Sequence, residues 1–190
     1  ATGKATPTAV KRAAIGSFAV GALLGLALVA LSGSWWLLIL GALSIVAAWY
    51  YTGSGRPYGY SGWGEVSVFI FFGPIATLGT MYTQAGRVTW WALLASFGLG
   101  LFAVAMLLVN NIRDIETDAV AGKRTLAVRV GDARARRLYG LSVLLPFALA
   151  LFIAFAQPLV LITLVLLLPA VLLALGGRLR IGAALGPLFL

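Results

Sequence analysis

Long apolar runs alternate with short polar breaks along almost the whole chain. The runs cover about residues 13–31, 35–51, 66–82, 90–109, 138–156 and 159–175, and a seventh begins at Ile181. Each complete run falls in or near the window of about 17–25 residues that crosses the hydrocarbon core of a bilayer as a helix. In lipid every backbone N–H and C=O must be paired within the structure, and none of the runs shows the strict alternation of a barrel strand. The pattern therefore predicts an all-α polytopic transmembrane helix bundle with six complete spans and the start of a seventh. Paired tryptophans at Trp35-Trp36 and Trp90-Trp91 mark run ends, where aromatic belts form. Gly21-x3-Gly25 and Gly98-x-Gly100 permit close helix approach, and Pro74, Pro146 and Pro169 are expected to kink the spans that hold them.

The polar breaks test this segmentation independently. If every run spans, alternate breaks share a side, and every lysine and arginine except Arg87 then falls on the same side. All five acidic residues, Glu65, Asp114, Glu116, Asp118 and Asp132, fall there as well. The positive-inside rule makes that side cytoplasmic in a multi-pass protein of the cell membrane.

Composition narrows the chemistry. Only 10% of the residues are charged and 62% are hydrophobic, against about 25% charged in an ordinary soluble domain. The net charge of +9 is accounted for by span-flanking basic residues, so no nucleic acid partner is implied. The absence of cysteine and histidine removes disulfides, thiolate chemistry and imidazole catalysis, leaving carboxylates, amides, tyrosines, basic side chains or a hard cation.

Three of the five acids lie within 114–118, directly after the fourth run. Carboxylates there are costly without water, a partner or a metal. If the helix continues past Val109, residues four apart lie about 40° apart around its axis, and Asn110, Asp114 and Asp118 form one stripe, with Asn111 beside it and Glu116 pointing nearly the other way. Such an oxygen-donor set suits Mg²⁺, which takes one or two carboxylates and completes its shell with water and phosphate oxygens. Gly122-Lys123-Arg124-Thr125 and Arg113 add the cations that would hold a diphosphate beside that metal. A solvated acidic and basic loop, with Lys123 and Arg124 setting topology only, is the plainer alternative.

A second polar break, Arg56-Pro57-Tyr58-Gly59-Tyr60-Ser61-Gly62-Trp63-Gly64-Glu65, opens the third run. Glu65 begins an apolar stretch and needs a partner. Arg56 is the nearest cation in sequence, so an Arg56–Glu65 pair ordering the loop is one expectation. A substrate role for Arg56, Tyr58, Tyr60 and Glu65 is the other, with interfacial anchoring open for the tyrosines.

The stretch from Asn110-Asn111-Ile112-Arg113-Asp114 through Asp118 and Gly122-Lys123-Arg124-Thr125 to Arg129 resembles the second Asp-rich motif of the UbiA-type intramembrane prenyltransferases. The Arg56–Glu65 break is similar to the branch of that family that acts on 1,4-dihydroxy-2-naphthoate. The resemblance implies a nine-helix fold of which this chain supplies the third to the ninth helix as a single membrane-embedded domain. It implies Mg²⁺-dependent transfer of a polyprenyl chain from polyprenyl diphosphate to dihydroxynaphthoate with decarboxylation, giving demethylmenaquinone. Asp114, Asp118 and Asn110 would hold Mg²⁺. Asn111, Arg113, Lys123 and Arg124 would serve the diphosphate, and Arg56 with Tyr58, Tyr60 and Glu65 the naphthoate carboxylate or diphosphate. The family's first Asp-rich motif, Asn-Asp-x3-Asp, has no counterpart here, so the chain is read as a fragment and is expected to be inactive alone. A UbiA-type enzyme with another aromatic acceptor is the alternative within the class. A membrane transporter is the alternative outside it, although no complete span carries a charge at its centre. Oligomeric state is not readable from the sequence.

Overall fold

The computed structural model describes residues 6–176, and the seventh run at Ile181 lies outside them. Among the described residues all regular structure is helical. Five helices are long and apolar enough to cross a membrane: Pro7–Ser32, Gly64–Ala85, Trp90–Arg113, Asp132–Ile153 and Pro158–Leu175. The protein is a polytopic all-α membrane protein. The second expected span is shorter than its run, because Trp35 and Trp36 sit in the turn and the helix Leu37–Thr52 keeps only 16 residues. That is about 24 Å of rise, short of the roughly 30 Å core.

The chain separates into two compact units at Trp49 and Tyr50. The first contains α1 (Pro7–Ser32) and most of α2 (Leu37–Thr52). Helix α1 starts with a Thr6 side chain accepting from the Ala9 N–H and with Pro7 in its first turn, and it ends on Gly33 at φ 68°. These are the usual start and stop residues of a helix. Nothing lies within 4 Å of a Cβ added at Gly21 or Gly25.

The second unit is organised around α5 (Trp90–Arg113), which starts with a Thr89 cap. One side of α5 meets a composite helix: α3 (Gly64–Ile70), a π-helical segment Phe71–Ile75 and α4 (Ala76–Ala85). Pro74 lies inside the π segment. It has no N–H to donate, and the wider π turn absorbs the defect so the span continues. Here the two backbones approach closely. A Cβ on Gly73 would lie 2.7 Å from the Ser96 carbonyl oxygen and 2.9 Å from the Gly100 Cα. Gly100 thus makes the expected close approach, whereas Gly98 meets Pro146 at an ordinary 3.5 Å.

The other side of α5 packs on α8 (Asp132–Ile153), followed by a 3-10 segment, Pro158–Leu166, and α9 (Leu167–Gly176). Helix α8 continues through Pro146 to Ile153, and Pro169 is the third residue of α9, just past the change from 3-10 to α geometry at Leu167. The core joins Leu108 and Ile112 of α5, Ala127 of the short α7 (Leu126–Val130), Tyr139, Val143 and Phe147 of α8, and Ala170 of α9. The core reaches the end of α5 and includes α7, so the polar loop between them is anchored at both ends.

Replacing Gly73 with alanine is expected to cost about 1–3 kcal/mol by overpacking, read as a lower thermal unfolding midpoint in detergent. Gly79→Ala, with nothing within 4 Å, is the matched control; equal midpoints for the two variants would refute the close backbone contact.

Candidate active site

Two polar loops converge at one end of the α3–α5–α8 unit. The first holds a 3-10 turn, Tyr58–Ser61, between Pro57 and Gly62. Gly59 is pressed on Tyr51, whose carbonyl oxygen would lie 2.7 Å from a Cβ there. The Tyr58 hydroxyl shares a hydrogen bond with Ser67 Oγ at 3.0 Å, and its ring meets Tyr51 edge-on. Tyr58 is thus occupied in holding the loop onto α3.

The second loop begins where α5 ends. Asp114 leaves helical geometry (φ −97°, ψ 11°), and α6 (Ile115–Val120) restarts behind it. The hydrogen bonds from Asp114 N–H to Asn110 O (3.0 Å) and from Asp118 N–H to Asp114 O (2.8 Å) survive the break. The helical phase of Asn110, Asp114 and Asp118 is therefore kept, and Glu116 is exposed as expected. Their surroundings differ. Asn110 is exposed, Asp114 is half-buried, and Asp118 is buried at 7% exposure.

Each carboxylate has its own cation. Arg113 grips Asp114 with two hydrogen bonds, Nε to Oδ1 at 2.7 Å and Nη2 to Oδ2 at 2.9 Å. The hydrogen bond from Arg113 holds the Asp114 carboxyl below the usual range. Gly122, at φ 74°, turns the chain back, so Lys123 N–H reaches Asp118 O at 2.9 Å and Lys123 Nζ reaches Asp118 Oδ1 at 2.7 Å. That bond pushes the Lys123 ammonium above its ordinary value. The same Nζ lies 4.9 Å from the centroid of the Tyr60 ring, joining the loops by a cation–π contact.

A backbone bond completes the join, with Arg124 N–H donating to Tyr60 O at 2.7 Å. Around the junction lies a cavity of about 380 Å³, lined by Arg56, Tyr60, Lys123, Arg124 and Arg129 together with small residues. Loops separated by one helical hairpin in sequence meet here, as alternating spans require.

The expected Arg56–Glu65 pair is not formed. Glu65, 5% exposed, accepts a hydrogen bond from Asn111 Nδ2 at 2.9 Å, because Asn111 sits on the side of α5 that faces α3. Arg56 lines the cavity instead. Glu65 and Asn111 are thus engaged with each other, and Arg113 with Asp114. Arg129, which the charge pattern alone assigns to span-flanking charge, also lines the cavity; its place at the end of the 110–129 motif is the sequence signal for it.

Among the described residues no group of three His, Cys, Asp or Glu could hold a metal. Asp114 and Asp118 stand four residues apart with their carboxylates held by Arg113 and Lys123; carboxylate and amide oxygens are the donor type that a hard divalent cation takes, with water and phosphate oxygens completing its shell.

Residues 1–182 match the family model described as the UbiA prenyltransferase family. The chain belongs to that family. It is 56% identical over 135 residues to the 1,4-dihydroxy-2-naphthoate octaprenyltransferase of Mycobacterium tuberculosis, covering 71% of this chain and 46% of that protein. To the protein of the same name in Escherichia coli it is 44% identical over 142 residues, covering 72% and 46%. A more distant UbiA relative, the UbiA prenyltransferase domain-containing protein 1 of Xenopus tropicalis, is 38% identical over 111 residues, covering 58% and 31%. The chain spans about half the length of the curated relatives it matches. No solved structure matches it.

Two outcomes follow from this geometry. Asn111→Leu leaves the buried Glu65 carboxylate unpaired and is expected to cost about 1–3 kcal/mol, whereas Glu65→Gln retains an acceptor and costs less; thermal unfolding ranks the two, and the reverse order refutes the pairing. Arg113→Gln is expected to raise the Asp114 carboxyl pKa, read by ¹³C NMR of labelled aspartate. Because the folded carboxyl is depressed, its favourable pairing is present above the unfolded pKa and fades as pH falls through the folded one. Both side chains are more than a third exposed, so stability is expected to change little.

Proposed function

We propose that the protein transfers a polyprenyl group from polyprenyl diphosphate to 1,4-dihydroxy-2-naphthoate, with loss of the ring carboxyl as CO₂, on the cytoplasmic face of the cell membrane. The observation that carries this reading is the junction of Asp118, Lys123 and Tyr60. A buried carboxylate of the metal-type stripe and a ring of cations share one edge of an apolar helical unit, which is the chemistry a membrane-borne diphosphate requires. The names of the relatives supply the acceptor class, and the excess of lysine and arginine on this side supplies the orientation.

In this reading Asp114 and Asp118, with Asn110, would hold Mg²⁺, which would supply a Lewis acid for the diphosphate oxygens. Lys123, Arg124 and Arg56 contribute positive charge that binds the diphosphate and stabilises it as the allylic C–O bond breaks. The electron pair of that bond leaves with the diphosphate. The electron-rich naphthoate ring then bonds to the prenyl carbon, and loss of CO₂ restores the aromatic ring. Arg113 keeps Asp114 ionised, and the Glu65–Asn111 bond fixes α3 against α5 so that the two loops meet. The apolar spans keep the prenyl tail in lipid throughout.

Outer-shell changes at metal sites cost about 10–100-fold, so loss of a direct ligand is expected to cost about a hundredfold or more. In the intact protein in nanodiscs, Asp118→Asn is expected to reduce prenyl transfer at least that far and Asp114→Asn comparably, with a raised Mg²⁺ requirement. Undiminished turnover in both variants would remove the metal assignment. Dihydroxynaphthoate is expected to outcompete 4-hydroxybenzoate and homogentisate as acceptor; preference for either of these would replace the substrate assignment and leave the family.

A further inference from the structure

We infer that Arg129 is a positioning residue that latches the two polar loops together and so builds the basic cavity between them. The inference rests on the proposed use of that cavity for the diphosphate end of the donor. Three observations converge on this residue. Its Nε–H donates to the Arg124 carbonyl oxygen at 3.0 Å, while the Arg124 N–H donates to Tyr60 O at 2.7 Å. The backbone of Arg124 is therefore held on one side by the Tyr58–Ser61 turn and on the other by Arg129. Gly62 provides the seat. It stands at φ +83°, and a Cβ there would lie 2.8 Å from Arg129 Cδ and 2.9 Å from Nε, so the arginine stem occupies the space that a side chain would need.

The charge arrangement supports the same role. Arg113, Lys123 and Arg136 each meet a carboxylate. Arg129 instead donates to a neutral carbonyl, and among the described residues no carboxylate pairs with it where it lines the cavity with Arg56, Lys123 and Arg124. Its placement acts through Arg124 and Lys123: releasing the Arg124 carbonyl frees the 121–125 segment to leave Tyr60 and carry both cations with it. Short α7, capped by the Thr125 side chain, fixes Arg129 one turn beyond that segment.

The test uses the intact protein in nanodiscs with Arg129→Ala, Arg129→Lys, Gly62→Ala and, as a charge control, the exposed Arg134→Ala. Hydrogen bonds to charged groups are worth enough to change binding by about tenfold or more. Arg129→Ala and Gly62→Ala are expected to raise KM for polyprenyl diphosphate, and the dissociation constant of inorganic pyrophosphate measured calorimetrically with Mg²⁺, by about that factor, with kcat within about threefold. Arg134→Ala is expected to change neither. Arg129→Lys keeps the charge but not the Nε–H and is expected to remain impaired. Spin labels on cysteines introduced at Gly55 and Val120, with any other cysteine replaced, report the separation of the loops; the distribution is expected to broaden in Arg129→Ala and Arg129→Lys. Full rescue by lysine, an unchanged loop distance, or a fall in kcat with KM unchanged overturns the latch. If the wild-type protein transfers no prenyl group, the functional reading fails, while loop distance and pyrophosphate affinity still decide the role of Arg129.

Discussion

A carboxylate removed from water without a partner costs several kcal/mol, and that cost organises the polar chemistry of this protein. The apolar spans carry no charge at their centres, so every acid is displaced to a helix end, where it must find water, a cation or an amide. Glu65 finds Asn111, Asp114 finds Arg113, Asp118 finds Lys123 and Asp132 finds Arg136. The first of these pairs ties separate pieces of chain together, and the third closes a loop. Glu65–Asn111 joins the start of α3 to the end of α5, and Asp118–Lys123 folds the second loop back on itself beside Tyr60.

The helical scaffold makes these pairings possible by bringing backbones unusually close. Gly73 and Gly100 let the π-helical segment lie directly on α5, which sets the separation that Glu65 and Asn111 bridge one membrane edge away. On the opposite side of α5, Leu108, Ile112, Ala127 and Tyr139 form a continuous core, so the 114–125 loop leaves one packed element and enters another. A loop with both ends fixed loses little further entropy when it adopts one arrangement, and that favours a site formed before substrate arrives.

The cavity between the loops is basic because its cations are only partly neutralised. Lys123 is shared between a carboxylate and an aromatic face, whereas among the described residues Arg56 and Arg129 line the space without a carboxylate. An anionic group entering there meets charge held in place by backbone hydrogen bonds rather than by flexible side chains alone. Such preorganisation is the form in which electrostatic stabilisation of an anion is most effective.

The long apolar runs were enough to establish a polytopic helical membrane protein, since backbone groups in lipid leave no other choice for segments of that length. Helical spacing puts Asn110, Asp114 and Asp118 on one stripe and turns Glu116 away, and two backbone hydrogen bonds carry that local phase across the break at Asp114. The two motifs also carried the family. Partner choice was not local. Nearness in sequence pairs Glu65 with Arg56, yet α5 presents Asn111 to it from 46 residues away. The short second helix, the π turn that absorbs Pro74 and the place of Arg129 over Gly62 likewise depended on which backbones packed together. Periodicity reports which face of a helix a residue occupies, whereas only the packed structure reports what that face meets.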